Sequence, residues 1–118
     1  MSQSRLLAQR FAIDLNGFAL GMWEAAHLAS KGKEVESNYL LDRLRTRLQT
    51  FRQRPFLGDS LRVYYNFDFR PEKYAKILEN LEKGFSAEAV SDIEQFVKLT
   101  ESCLHETSGT KTDFKKPL

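Results

Sequence analysis

Apolar residues recur at Leu7, Phe11, Leu15, Phe18, Met22, Ala25 and Ala29, a spacing of 4-4-3-4-3-4 that stays on one side of a helix. The pattern predicts a first helix from about Arg5 to Ser30, with Ser2 or Ser4 available as its cap. A second apolar row lies nearly opposite: Leu6, Ile13 and Leu20, seven residues apart, with Trp23 beside it and His27 one heptad further on. A helix that is apolar on two sides is either sandwiched within its own domain or shared with another chain. Gly17 and Gly21 add a small-xxx-small pair that would let a neighbouring backbone approach.

Gly32, between two lysines, suits the left-handed residue that closes a helix, and the lysines suit the negative end of its dipole. The next periodic run is Leu41, Leu44, Leu48 and Phe51, which predicts a second helix from between Glu34 and Ser37 to about Arg54. Pro55 follows, and the residue before a proline is pushed out of helical geometry. Residues 55–60 carry Pro, Gly, Asp and Ser and read as a loop.

From Leu61 to Phe69 the period changes to two. Leu61, Val63, Tyr65, Phe67 and Phe69 alternate with Arg62, Tyr64, Asn66, Asp68 and Arg70, the pattern of a strand with one buried face. A strand with no second strand in its chain leaves its backbone groups unpaired, so it calls for a partner. Pro71 then opens a third helix to Lys83, with Tyr74, Ile77, Leu78 and Leu81 inward and Glu72–Lys76 and Glu79–Lys83 outward. Gly84 ends it, and Ser86 caps a fourth helix running to about His105. Its seam of Val90, Ile93, Val97, Thr100 and Leu104 is widened by Phe96 and Cys103. The expected fold class is therefore mainly α, four helices in α-α-β-α-α order, with the strand around 61–69 paired across a homodimer. Residues 1–108 form one helical domain, and 109–118 read as a flexible polar tail.

Composition narrows the function classes. The chain has 118 residues, 42% hydrophobic and 29% charged, the balance of an ordinary globular protein rather than a disordered one. Net charge is only +2, too small to argue by itself for nucleic acid or anionic membrane. Residues 1–70 hold 11 basic and 7 acidic residues, and 71–118 hold 7 and 9, so the halves carry +4 and −2. The single cysteine, Cys103, excludes an intrachain disulfide. The greasiest region, 11–29, is broken by Asp14, Asn16 and Glu24, and no secretory signal layout opens the chain. The expectation is a cytoplasmic protein without membrane contact.

Candidate chemistry is sparse. Cys103 and His105 offer ligand types with Glu101 and Glu106, but residues two apart on a helix point about 160° away from each other. His27 has no nucleophile or second acid–base group beside it in the sequence. No catalytic set, metal site or cofactor is expected. The second helix is the most basic stretch: Arg43, Arg47 and Arg54 flank one edge of its apolar seam, and Arg45 and Arg52 the other. Arginines on both shoulders of a seam read as stems lying over the core with heads paired to a neighbour, for which the acidic fourth helix is the expected source. The patch formed by Arg43, Arg47 and Arg54 is the alternative basic surface.

The order strand, proline, helix, glycine turn, Ser86-capped helix, ending at Leu104, resembles a ribbon-helix-helix DNA-binding unit. That resemblance implies strands paired across a dimer, with Arg62, Asn66 and Arg70 facing the major groove. Phe69 falls where a polar reader is expected, and Asp68 and Glu88 would repel phosphate. The leading expectation is a non-enzymatic regulatory or accessory protein that binds another protein and forms a homodimer. Its partner-binding residues are Leu6, Ile13, Leu20 and Trp23 on the first helix and Arg62, Tyr64, Asn66 and Arg70 on the strand. The alternative is a dimeric DNA-binding regulator.

Overall fold

Asn66 decides the middle of the fold. It adopts the left-handed conformation (φ 55°, ψ 34°), and its N–H donates to the Arg62 carbonyl at 3.1 Å, which is how a helix ends. The helix it ends begins at Pro55. In the computed structural model, which describes the backbone of residues 3–109, the elements are α1 (Gln3–Ser30), α2 (Glu34–Arg52), α3 (Pro55–Tyr65), α4 (Pro71–Lys83) and α5 (Ala87–Gly109). No strand occurs among the described residues.

The expected strand around 61–69 is thus overturned, as are the four-helix count and the 55–60 loop. Pro55 occupies the first turn of α3, where its fixed φ and missing N–H are harmless. Leu57 and Leu61, four apart, turn inward and are buried, with Tyr65 half-buried one turn later. Val63, which alternation places on the inner side, is 71% exposed. Past Asn66 the chain is neither helix nor strand as far as Arg70, and here the alternation of buried and exposed residues does hold. Phe67 and Phe69 are buried while Asp68 and Arg70 face outward and pair with each other at 2.8 Å. The segment needs no second strand, because what anchors it is two aromatic rings rather than a ladder. Pairing of strands across a twofold axis has no basis in this structure, and the ribbon-helix-helix likeness falls with it.

α1 is the central element and packs against α5, α2 and α3. Phe11, Leu15, Phe18, Met22 and Ala25 are buried as the main stripe requires, although Leu7 is exposed and Ala29 only half-buried. Ala8, Ala12, Ala19 and Ala26 widen the buried arc. Two polar contacts fix the neighbours. Ser37 Oγ donates to the Ala25 carbonyl at 2.8 Å, tying the start of α2 to α1. Asn16 Nδ2 donates to Thr100 Oγ1 at 3.0 Å, tying α1 to α5.

The core is aromatic where the linker meets the bundle. Phe69 contacts Phe11, Phe51, Tyr74 and Phe96, with ring centroids 5.4–6.5 Å apart. Phe18 bridges Phe51 and Phe96 edge-on. Such pairs add about 0.5–1.5 kcal/mol each beyond the area they bury. The predicted stops are present: Gly32 is left-handed (φ 77°), Gly84 takes φ 142°, and the Ala89 N–H donates to Ser86 Oγ at 3.3 Å. Ser4 lies inside α1 rather than ahead of it, and α5 continues to Gly109. Ser2 and the tail from 110 onward lie outside the described residues.

Candidate functional site

The second row of α1 stays outside the bundle. Leu6, Ile13, Leu20 and Trp23 are 43%, 56%, 46% and 42% exposed, a file of large apolar side chains along one helix. Trp23 lies flat on His27, with centroids 5.1 Å apart and planes 10° apart. Leu20 and Trp23 continue sideways onto α5, where with Val97, Glu94, Lys98 and Glu101 they line a shallow groove of about 340 Å³. Arg10 and Glu24 sit exposed on the same face, and neither makes an ion pair among the described residues. Of the other exposed large apolar residues, Leu7 lies on the inner stripe of α1 near its start, and Val35, Tyr39, Phe56, Val63, Phe85 and Leu99 lie elsewhere in the chain.

The four site residues expected on a strand are not brought together on one face. Arg62 pairs with Asp59 at 3.0 Å one turn earlier in α3, and Arg70 pairs with Asp68. Tyr64 is half-buried, with the Arg5 guanidinium 5.9 Å from its ring centre, and Asn66 is the helix-ending residue.

On α2 the arginines divide. Arg45 reaches Glu82 at 2.9 Å as well as Asp42, and Arg52 reaches Glu72 at 2.8 Å. Both interhelical partners lie on α4, not on the acidic α5 that composition nominates. A helical wheel gives the face of a charge but not the helix opposite it. Arg43 and Arg54 lie over the rings of Tyr39 and Phe56, and Arg47 reaches the Asp14 carbonyl at 3.4 Å. Arg43, Arg47 and Arg54 are exposed but lie over their own chain. Cys103 is buried, His105 is exposed, and no group of metal-ligating side chains occurs among the described residues.

A cleft of about 280 Å³ escaped the sequence reading. Phe11, Phe51 and Phe69 form its floor, and Arg52, Asp59, Arg62 and Asp68 its rim. Every rim charge has a partner within the chain: Glu72 for Arg52, Asp59 and Arg62 for each other, Arg70 for Asp68. The rim therefore presents closed ion pairs rather than a set of charges converging on a ligand. A perturbed titration lies behind it. Burial, aided by the nearby charges of Asp68 and Asp92, pushes the Tyr74 hydroxyl up to about 12, further from any acid–base role at ordinary pH. Nothing in the cleft pairs a nucleophile with a base.

Among the described residues, the outward face of α1 with the adjoining side of α5 is an apolar surface that the fold leaves uncovered. Comparison with protein-family models, with curated proteins and with solved structures gives no match to this chain.

Proposed function

We propose that this chain is a non-enzymatic accessory or regulatory protein that acts by protein–protein contact, as a homodimer formed through the outward face of α1. The observation that supports this reading is the file Leu6, Ile13, Leu20 and Trp23, each more than two-fifths exposed although the same helix buries Phe11, Leu15, Phe18, Met22 and Ala25 on its opposite side. Apolar residues aligned on one face and edged by charge are what interaction sites present, whereas single exposed hydrophobics are ordinary. A file repeating every seven residues also presents a seam, drifting only about 20° per heptad, to another helix.

The test is native mass by light scattering on a sizing column, for the natural chain and for Ile13→Asp and Leu20→Asp. The expected mass of the natural chain in the micromolar range is near twice 13.7 kDa, falling toward 13.7 kDa in both variants with helical circular dichroism retained. Both positions are exposed, so the charge costs the monomer little. A natural chain of 13.7 kDa throughout that range would refute the homodimer.

A further inference from the structure

The outward face of α1 has a symmetry of its own. Leu6, Ile13, Gly17, Leu20, Glu24 and Arg10 fall within about 80° of the helix wheel. Ile13 and Leu20 stand equally far from the point between Asn16 and Gly17, and so do Leu6 and His27. Arg10 and Glu24 lie on opposite sides of the same point and miss equal spacing by one residue, about 1.5 Å of helix rise. Gly17 sits at the centre, exposed, where an added Cβ would meet nothing within 4 Å.

We infer that the occupant of this face is a second copy of the chain, with the two α1 helices antiparallel and crossing at Gly17. The inference rests on the homodimer reading above and specifies its geometry. A twofold axis at that point sets Ile13 against the partner's Leu20, and Leu6 against the partner's His27. It also brings Arg10 within reach of the partner's Glu24, twice over, because a twofold interface repeats every contact. Charge thus selects the direction of pairing. With the helices parallel, Glu24 would meet the partner's Glu24, and Arg10 would stand about 21 Å along the axis from the carboxylate it could neutralise. Antiparallel pairing removes both problems and places the smallest side chain where the backbones come closest. The open position at Gly17 contrasts with Gly21, whose added Cβ would stand 2.9 Å from the Leu44 side chain. Gly21 is needed inside the subunit; Gly17 is not.

Charge reversal followed by sedimentation equilibrium at low salt tests the geometry. Arg10→Glu and Glu24→Arg should each raise the dissociation constant about threefold to tenfold. The double variant should return to within about twofold of the natural chain, since it restores both pairs. Mild oxidation gives a second readout. A mixture of Ile13→Cys and Leu20→Cys chains should form the mixed disulfide dimer, while neither variant alone cross-links to itself. A dimer in which the double reversal brings no recovery and Ile13→Cys chains cross-link to each other overturns the antiparallel geometry and leaves the homodimer standing. A natural chain that is monomeric throughout the micromolar range overturns both.

Discussion

α1 carries two apolar faces made of nearly the same residues, and the fold treats them differently. The inner face places Phe11, Leu15, Phe18 and Met22 against three other helices and an aromatic network, and none of these side chains exceeds 2% exposure. The outer face places Leu6, Ile13, Leu20 and Trp23 at the surface with only the side of α5 for company. The apolar periodicity alone does not separate them. What does is the company each face keeps: the inner stripe is broadened by alanines that let neighbours close on it, while the outer file is interrupted by Gln9, Asn16 and Glu24 and flanked by Arg10. One face builds the subunit, and the other is the face proposed for a partner.

The sharpest way to break that comparison is truncation. Phe18→Ala should lower unfolding free energy by about 3–5 kcal/mol, because a fully buried ring leaves a cavity among Phe51 and Phe96. Leu20→Ala should change the stability of the isolated subunit by less than about 0.5 kcal/mol, as surface substitutions do. Urea melts of the two variants, the second at a concentration where the chain is monomeric, check the pair. Equal losses would mean that α1 has no outer face.

Next in size is a dependence on pH that arises in the aromatic core beneath the inner face, at Tyr74 of α4. Tyr74 is 3% exposed and stacks on Phe96, and its hydroxyl is raised from 10.0 to about 12. The unfolded chain then loses this proton before the folded one does. The contribution of Tyr74 is constant below pH 10 and falls as pH rises from 10 to 12, by at most about 1.4 kcal/mol per pH unit. Tyr74→Phe should remove that part of the decline in denaturant titrations at high pH.

Alanine scanning of the two glycines sharpens the comparison further. Gly17→Ala should raise subunit stability by about 0.8–1.0 kcal/mol, since it improves helix propensity in open space. It should at the same time weaken association, because the added methyl occupies the proposed crossing point. Gly21→Ala should gain less or lose, because Leu44 is buried and must give way. Thermal melts at low and high protein concentration separate the two effects. The smallest effect expected is that of Arg52→Ala. It breaks one exposed ion pair to Glu72 and should cost less than about 1 kcal/mol, diminishing in high salt.

Much of this architecture is legible in the residues. Long runs with a period near 3.6 mark α1, α2, α4 and α5, and Gly32, Gly84 and Ser86 punctuate them because each meets a local backbone demand. α3 is the exception, and the reason is specific. Its 11 residues contain only the inward pair Leu57 and Leu61, so the alternation running through Tyr65, Phe67 and Phe69 outweighs it. Pro55 stops α2 and starts α3, and reading it only as a stop hides the second role. Asn66, the one non-glycine residue of positive φ among those described, was the available signal that a helix ends there. The exposed file on α1 could be found from spacing alone. The aromatic cleft could not, because Phe11, Phe51 and Phe69 come from two helices and a linker that only tertiary packing brings together.

Trp23 offers the most direct test of the account. It is the only tryptophan in the chain, lies on the outer face and is 42% exposed in the subunit. Its fluorescence should shift to the red as the natural chain is diluted through the micromolar range and the interface opens to water. Leu20→Asp chains should emit at the diluted wavelength at every concentration. Emission that is independent of concentration in the natural chain, and identical in Leu20→Asp, would contradict the assignment of this face as an interface.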